Sequence, residues 1–282
     1  MSSTKYLQAK TSTVEGSNAI TYAYRRMGPT GTRPLVLLQH FRGNLDNWDP
    51  DLVDTLAASR EVIAFDNAGV GATTGTTPAT IAQMADDAII LLEALALDSV
   101  DLLGFSIGSF VAQEIALTRA SLVTKVVLAS TAPQGAPGMY GWAADIIGAV
   151  GTPKVDAEGV LHAFFTKSAA SRAAGEQYLG RVFSRTEGHD TDTTWRTRNA
   201  QYDAVLKWGT PNFGLLQRLT ALQQPVFVAN GDDDRMILPW YSYLTANLIP
   251  NAVVKLYPDS AHGFLYQHAK EFANDVNQFL DA

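Results

Sequence analysis

The chain has 282 residues, of which 46% are hydrophobic and 17% are charged, and its formal net charge is −7. This composition is typical of a globular protein with a large core, and it excludes a disordered or fibrous chain. The absence of cysteine excludes disulfides, thiolate metal sites and a cysteine nucleophile. The negative charge and the lack of a basic run make nucleic acid a poor partner.

Membrane and export signals are missing from the sequence. No stretch of about 18 or more uncharged apolar residues is present, because Glu93 interrupts the longest candidate, Ala88 to Leu97. The start of the chain is polar through Lys10 and offers neither an apolar signal core nor a small-residue cleavage site. We therefore expect a cytoplasmic protein that does not enter a membrane and that binds a small neutral molecule. The sequence leaves open a homo-oligomer.

The strand predictions begin with two weakly alternating stretches, Lys5 to Thr13 and Ala19 to Met27, which indicate an antiparallel hairpin at a sheet edge. From Pro34 onward, short apolar runs alternate with helical patterns. Because each run is short and uniformly apolar, we expect central parallel strands with helices on both faces. The runs are Leu35 to Gln39, Val62 to Asp66, Val100 to Gly104, Lys125 to Ser130, Val226 to Gly231 and Val253 to Tyr257.

Three helices are predicted between or after these strands. Apolar residues recur at helical spacing from Ile81 to Leu95, with Thr80 at the N-terminal edge. A second helix is expected to start at Ser106 or Ile107 and to run to about Arg119. The last one covers Ala269 to Leu280.

The strand rhythm stops between Pro133 and about Asn212, where helices are the only regular option. We predict a helical cap at residues 133–212, inserted after the sixth strand into a core formed by residues 1–132 and 213–282. The cap is rich in aromatic residues, which favours an apolar acyl or ring system as substrate. Trp142, Phe164 and Phe165 are the candidates for contact with it.

The nucleophile is predicted from the sequence Gly104-Phe105-Ser106-Ile107-Gly108, a G-x-S-x-G placed between an apolar strand and a helical pattern. A nucleophile elbow needs small residues two before and two after the serine, because the strand-to-helix turn is tight. The turn would place the Ser106 hydroxyl at the carboxyl end of the sheet and at a helix N-terminus, where an anionic intermediate is favoured.

A serine hydroxyl needs a base, and the base needs an orienting acid, in the chain order serine, acid, histidine. His262 is the only histidine in a turn just beyond the final strand, so we predict it as the base. Residues 130–135, after the preceding strand, contain no carboxylate. The acid is therefore one of Asp232, Asp233 and Asp234, which follow the strand that ends at Gly231.

From Ala19 to its end, the chain resembles the α/β-hydrolase superfamily, in particular its esterase, lactonase and cofactor-free haloperoxidase-like branch. The resemblance implies an α/β-hydrolase fold with a mostly parallel central sheet flanked by helices. In that family the acid follows a glycine as G-x-x-D, which falls on Gly231 and Asp234 and selects Asp234. The family's histidine is commonly followed by glycine, here Gly263.

The resemblance also implies the oxyanion hole. In the family, one N–H comes from a His-Gly loop after the first parallel strand, and the other comes from the residue after the serine. Here the loop has His40-Phe41, so Phe41 and Ile107 are the expected donors. No cofactor and no metal are expected, because the chain has no cysteine and no histidine pair at helical ligand spacing.

The predicted activity is cleavage of a small apolar carboxylic ester or lactone through an acyl-enzyme on Ser106. Two alternatives use the same three residues: perhydrolase or haloperoxidase-like chemistry, and lyase chemistry. A further alternative is a small-molecule receptor that retains the triad without turnover. The fold does not decide between them, because the cap governs what binds.

Overall fold

An eight-stranded sheet runs through the part of the chain that the computed structural model describes, residues 5–282. Residues 1–4, the beginning of the predicted core segment 1–132, lie outside it. The α/β class and the six apolar strands are confirmed. The strands are β1 (Ser12–Glu15), β2 (Thr21–Met27), β3 (Leu35–Leu38), β4 (Val62–Phe65), β5 (Val100–Phe105), β6 (Val123–Ala129), β7 (Val226–Gly231) and β8 (Ala252–Tyr257).

The strand order in the sheet is β1-β2-β4-β3-β5-β6-β7-β8. β1 pairs with β2 and β2 with β4 in antiparallel fashion, whereas all pairs from β4 to β8 are parallel. Every residue of β3, β4, β5 and β7 is buried. Because parallel strands point the same way, the loops that follow β3, β5, β7 and β8 meet at one edge of the sheet.

Helices cover both faces of the sheet. One face carries α1 (Pro50–Leu56) and α11 (Ala269–Asp281), and the other carries α2 (Ile81–Ala94), α3 (Ile107–Thr118) and α9 (Pro239–Leu248). The predicted starts of two helices agree with the structure, because the Thr80 side chain caps α2 and α3 follows Ser106. A short helix, α10 (Phe264–Gln267), precedes α11. Among residues 5–282, no helix is long and apolar enough to cross a membrane.

The first predicted strand, Lys5 to Thr13, is wrong over most of its length. Residues Tyr6–Gln8 form a 3-10 helix, and the strand is Ser12–Glu15. The Tyr6 ring is fully buried, and its hydroxyl donates a hydrogen bond to the carbonyl of Leu45. This long-range contact holds residues 6–8 against the loop at Leu45, so these residues do not pair with the sheet.

β8 was predicted to be a central strand, but it lies at the edge of the sheet. Val253 is 57% exposed there, and Lys255 reaches Glu271 and Asp275 on α11. The apolar run alone did not distinguish an edge strand with one covered face from a central one.

The segment between β6 and β7 is helical, as predicted for residues 133–212, which we call the insertion. It contains α4 (Ala144–Val150), α5 (Ala157–Phe164), α6 (Ala169–Val182) and α7 (Trp195–Trp208), and α8 (Phe213–Leu216) follows it. Its buried apolar residues join the two clusters that cover the sheet. β6 and β7 are neighbours, so the chain leaves the sheet and returns to it at adjacent strands.

Candidate active site

Ser106 lies in a sharp turn between β5 and α3 and is 3% exposed. Its backbone has φ 57° and ψ −123°, an uncommon conformation for a residue with a side chain, and such strain is frequent at functional sites. A Cβ on Gly104 would lie 2.3 Å from the carbonyl oxygen of Gly108, and one on Gly108 would lie 2.1 Å from that of Leu38. The two glycines therefore permit the turn.

The loops after β7 and β8 bring His262 and Asp234 together. The Nδ1 atom of His262 lies 2.8 Å from Oδ2 of Asp234, and both side chains are buried. An imidazole bonded in this way through Nδ1 has its Nε2 atom free to exchange a proton with another group. The rings of Phe105 and Phe164 flank the imidazole, with centroids 5.0 and 5.5 Å away.

Only one member of the aspartate triplet faces the histidine. Asp234 is 1% exposed, and its Oδ1 atom accepts hydrogen bonds from the N–H groups of Met236 and Ile237. Asp232 and Asp233 are exposed. A Cβ on Gly231 would lie 2.3 Å from the carbonyl oxygen of Ser260, so this glycine lets the loop that carries Asp234 approach the loop that carries His262.

The expected oxyanion donors are in suitable places at the ends of β3 and β5. Ile107 is the first residue of α3, where a backbone N–H has no acceptor inside the helix. Within residues 5–282, the N–H of Phe41 has no hydrogen-bond acceptor either. The Phe41 ring packs edge-on against Trp142, with centroids 5.0 Å apart. Their roles as donors stay predictions.

His40 is a buried histidine in the predicted oxyanion loop and directly precedes Phe41. Its Nδ1 atom lies 2.9 Å from the carbonyl oxygen of Phe41. Because a carbonyl can only accept, Nδ1 carries the proton. The pKa of His40 is lowered to about 4, mainly by burial; the bond to the Phe41 carbonyl raises it and the nearby His262 lowers it. His40 is therefore neutral at physiological pH.

Ser106 and His262 line the same cavity, which has a volume of about 250 Å³. His40, Phe41 and Met236 contribute to the core side of this cavity. The insertion supplies an opposite wall that is mainly apolar and includes Val150, Val155, Val160, Phe164, Leu179 and Phe183. A buried serine and a buried imidazole that face a cavity with one mainly apolar wall are suited to attack on a small apolar molecule.

The three aromatic residues predicted to contact substrate differ in position. Phe164 lines the cavity. Phe165 lies outside the cavity lining, because it is turned towards α6 and packs against Tyr178. Trp142 also lies outside the lining, and its ring packs against the rings of Phe41 and Tyr202. Sequence alone did not reveal which side of the insertion each ring faces.

Other residues at the cavity were not selected from the sequence. Leu179 and Phe183 line it from the end of α6 and its C-cap. Their spacing of four residues, which places two side chains on one helix face, is the signal that could have indicated them. Arg42 also lines the cavity. Within residues 5–282, no group of three or more histidine or acidic side chains has a metal-binding arrangement.

Comparison with known proteins identifies the family. A model of the α/β-hydrolase fold matches residues 33–269, and the chain therefore belongs to the α/β-hydrolase family. An α/β-hydrolase fold protein from Chitinophaga pinensis has a similar structure, with 37% sequence identity, a TM-score of 0.92, and coverage of 99% of this chain and 100% of its own. The fold predicted from the resemblance is thus confirmed.

Two curated relatives match over nearly their whole length. The non-heme chloroperoxidase of Streptomyces lividans is 28% identical over 287 residues, which cover 95% of this chain and 99% of the relative. The poly(3-hydroxyalkanoate) depolymerase of Ectopseudomonas oleovorans is 29% identical over 277 residues, which cover 95% of this chain and 91% of the relative.

Proposed function

We propose that the protein is a serine hydrolase that cleaves a small apolar carboxylic ester or lactone. Ser106 attacks the carbonyl carbon, and His262 accepts the serine proton while Asp234 orients the imidazole. The N–H groups of Phe41 and Ile107 stabilise the oxyanion. The protonated His262 then donates to the leaving alcohol, and an activated water hydrolyses the acyl-enzyme. A lactone follows the same steps and opens to a hydroxy acid.

The observation that carries this proposal is the buried His262–Asp234 pair, whose imidazole shares one cavity with Ser106. The mainly apolar wall of the insertion favours an apolar acyl chain or ring, and the cavity of about 250 Å³ favours a small one. The relative from Ectopseudomonas oleovorans acts on a polymer whose units are joined by ester bonds, which is the same bond class.

The direct test is hydrolysis of p-nitrophenyl esters of increasing acyl chain length and of lactones of increasing ring size. Ser106→Ala is expected to lower kcat by about 10⁴- to 10⁶-fold without unfolding, and His262→Ala to be comparably severe. A fluorophosphonate probe should label the wild type and leave the Ser106→Ala variant unlabelled.

Retention of more than about a tenth of wild-type ester turnover in either variant is incompatible with the losses expected for this mechanism. A wild-type protein that binds esters without turnover or labelling would instead be a receptor. The screen itself reports the shape of the cavity, because the preferred chain length or ring size reflects the space that the insertion encloses.

A second candidate is perhydrolysis, favoured by the likeness to the chloroperoxidase. In this reaction hydrogen peroxide replaces water as the second nucleophile, so that the acyl-enzyme yields a peracid and free Ser106. The peracid then transfers an oxygen atom to a halide ion, which gives hypohalous acid and regenerates the carboxylic acid. With acetate as acyl donor, the acyl-enzyme forms from acetic acid with release of water. Bromination of monochlorodimedone in the presence of acetate, peroxide and bromide measures it, and the activity should disappear in the Ser106→Ala variant.

A further inference from the structure

Arg42 follows Phe41 directly and has a left-handed backbone conformation, with φ 64°. This conformation is uncommon for a residue with a side chain, so the surrounding structure must hold it. The loop that Arg42 shapes is the one that presents the predicted oxyanion donor, the N–H of Phe41. The contacts that hold Arg42 therefore bear on the geometry of the oxyanion hole.

The insertion holds the backbone of Arg42 on both sides. The N–H of Arg42 donates a 2.7 Å hydrogen bond to Oε1 of Gln201 on α7, which is fully buried. The carbonyl of Arg42 accepts a hydrogen bond from the hydroxyl of Thr193. The carbonyl of Phe41 is bonded to Nδ1 of His40. Both polar groups of the peptide between Phe41 and Arg42 are thus engaged, which fixes the plane of that peptide.

The guanidinium of Arg42 binds a different part of the insertion. Its Nη1 atom donates to the carbonyls of Val150 and Thr152, at 3.3 and 2.6 Å, and its Nη2 atom donates to the carbonyl of Pro153 at 3.0 Å. Val150 is the last residue of α4, so its carbonyl has no donor inside that helix. One side chain therefore binds three carbonyls within residues 150–153, in the segment that forms part of the cavity wall.

We propose that Arg42 is a positioning residue that couples docking of the insertion to formation of the oxyanion hole. Five hydrogen bonds join it to residues 150–153, Thr193 and Gln201. The peptide between Phe41 and Arg42 that two of the surrounding bonds fix is the one directly after the Phe41 N–H, so it restrains ψ of Phe41 and the loop that carries this donor. When the insertion is docked, the donor is aligned with the carbonyl of the substrate. When these bonds are lost, the loop relaxes from its left-handed conformation and the donor turns away. This inference rests on the proposed role of Phe41.

Arg42→Met tests the coupling because it keeps the apolar stem of the side chain and removes the bonds to the three carbonyls. We expect kcat to fall by about 10- to 100-fold with KM nearly unchanged, since a misplaced donor affects the transition state. Affinity for an alkyl boronic acid, which forms a tetrahedral adduct with the serine, should fall by a similar factor. Affinity for the carboxylic acid product should not change.

The matched control is Lys207→Met. Lys207 lies on α7, and its Nζ atom donates to the carbonyl of Ala79, so this variant also removes a cation that joins the insertion to the core. It lies away from the cavity and should leave kcat and boronate affinity as in the wild type. If Arg42→Met does not fold, Thr193→Val removes a single bond to the same loop and should lower kcat in the same manner.

A double-mutant cycle separates coupling from two independent effects. Gln201→Met removes the acceptor of the Arg42 N–H, and its loss of kcat should not add to that of Arg42→Met, because both variants release the same loop. The proposal is overturned if Arg42→Met lowers kcat no more than Lys207→Met, or if boronate and product affinities fall equally. Failure of the proposed function would be seen separately, as a wild-type protein without ester turnover or labelling.

Discussion

The backbone N–H of Gly263 donates a 2.8 Å hydrogen bond to the carbonyl of Phe164. Gly263 directly follows His262, and Phe164 is the last residue of α5. His262, the predicted base, is therefore adjacent in the chain to a residue that is hydrogen-bonded to the insertion. The wall of the cavity and the position of the imidazole depend on each other through this contact.

Gly263→Ala should impair catalysis through steric pressure on this contact. The added Cβ would lie 2.8 Å from Cβ of Phe164 and 2.9 Å from its carbonyl oxygen, while φ of −84° suits alanine. We expect a loss of about 1 to 3 kcal/mol in the free energy of unfolding and a lower kcat. Gly180→Ala, on α6 with no atom near its added Cβ, is the control. Wild-type kinetics in Gly263→Ala would show that the contact is dispensable.

The aspartate triplet can be ranked by asparagine substitution. Asp234→Asn should lower kcat by about 10⁴-fold, because an amide favours the wrong imidazole tautomer. Asp232→Asn and Asp233→Asn should have effects within about 0.5 kcal/mol in the free energy of unfolding and little effect on kcat, since both side chains are exposed. Steady-state kinetics of the three variants show which aspartate is the acid that orients His262. A severe loss in Asp233→Asn would reassign the acid.

The pH dependence of activity should not depend on His40. Because burial lowers the pKa of His40 to about 4, this residue does not change charge in the neutral range. His40→Asn should reduce kcat by loosening the Phe41 carbonyl, yet it should leave the midpoint of an ascending limb between about pH 5 and 8 in place. Profiles of kcat/KM against pH for both proteins measure this. A limb that vanishes in His40→Asn would identify His40 as the titrating base.

Asp66 should make the folded state less stable as the pH rises. Burial raises the pKa of Asp66 well above its usual value, and the carboxyl of Asp190 on the insertion raises it further, while the Leu45 N–H and Arg25 act in the opposite direction. An acid with a raised folded pKa contributes stability that is fully present below about pH 4 and is lost as the pH passes the folded value. Asp46, whose carboxylate accepts from the Asp190 N–H, also forms an ion pair with Arg25 and is a third acidic group near Asp66 and Asp190.

Asp66→Asn should therefore remove a decline in the free energy of unfolding that begins as the pH rises above about 4. At about pH 8 the variant should equal or exceed the wild type in stability, because its Oδ1 atom can still accept from the Leu45 N–H. Urea unfolding across this range measures the difference. The exposed Asp98→Asn is the control. A variant that is less stable than the wild type at every pH would contradict the expectation.

Local sequence patterns predicted the features that depend on neighbouring residues. The spacing of Gly104, Ser106 and Gly108 defines a turn whose tightness the structure explains by two close backbone approaches. The runs that form β3 to β7 were recognisable because both faces of these strands are buried.

Features that depend on distant residues were not predictable in this way. The bonds of Arg42 join it to residues more than 100 positions further along the chain. The burial of Tyr6 depends on a bond to Leu45, and the direction of Phe165 depends on Tyr178. No periodicity in the sequence indicates such contacts. The contact of Tyr6 replaced a predicted strand by a 3-10 helix, and the contact of Phe165 moved its ring out of the cavity lining.

The adjacency of β6 and β7 has a consequence for how this framework can acquire new substrates. Since the two ends of the insertion are anchored side by side, its length is nearly free to vary, because the entropic cost of closing a longer segment rises only slowly with length. A chimaera with a foreign segment in place of residues 133–212 can keep the sheet intact. To preserve the geometry of the active site, such a graft must rebuild at least two of the attachments between the insertion and the core: the partner of the Gly263 N–H and the partners of Arg42.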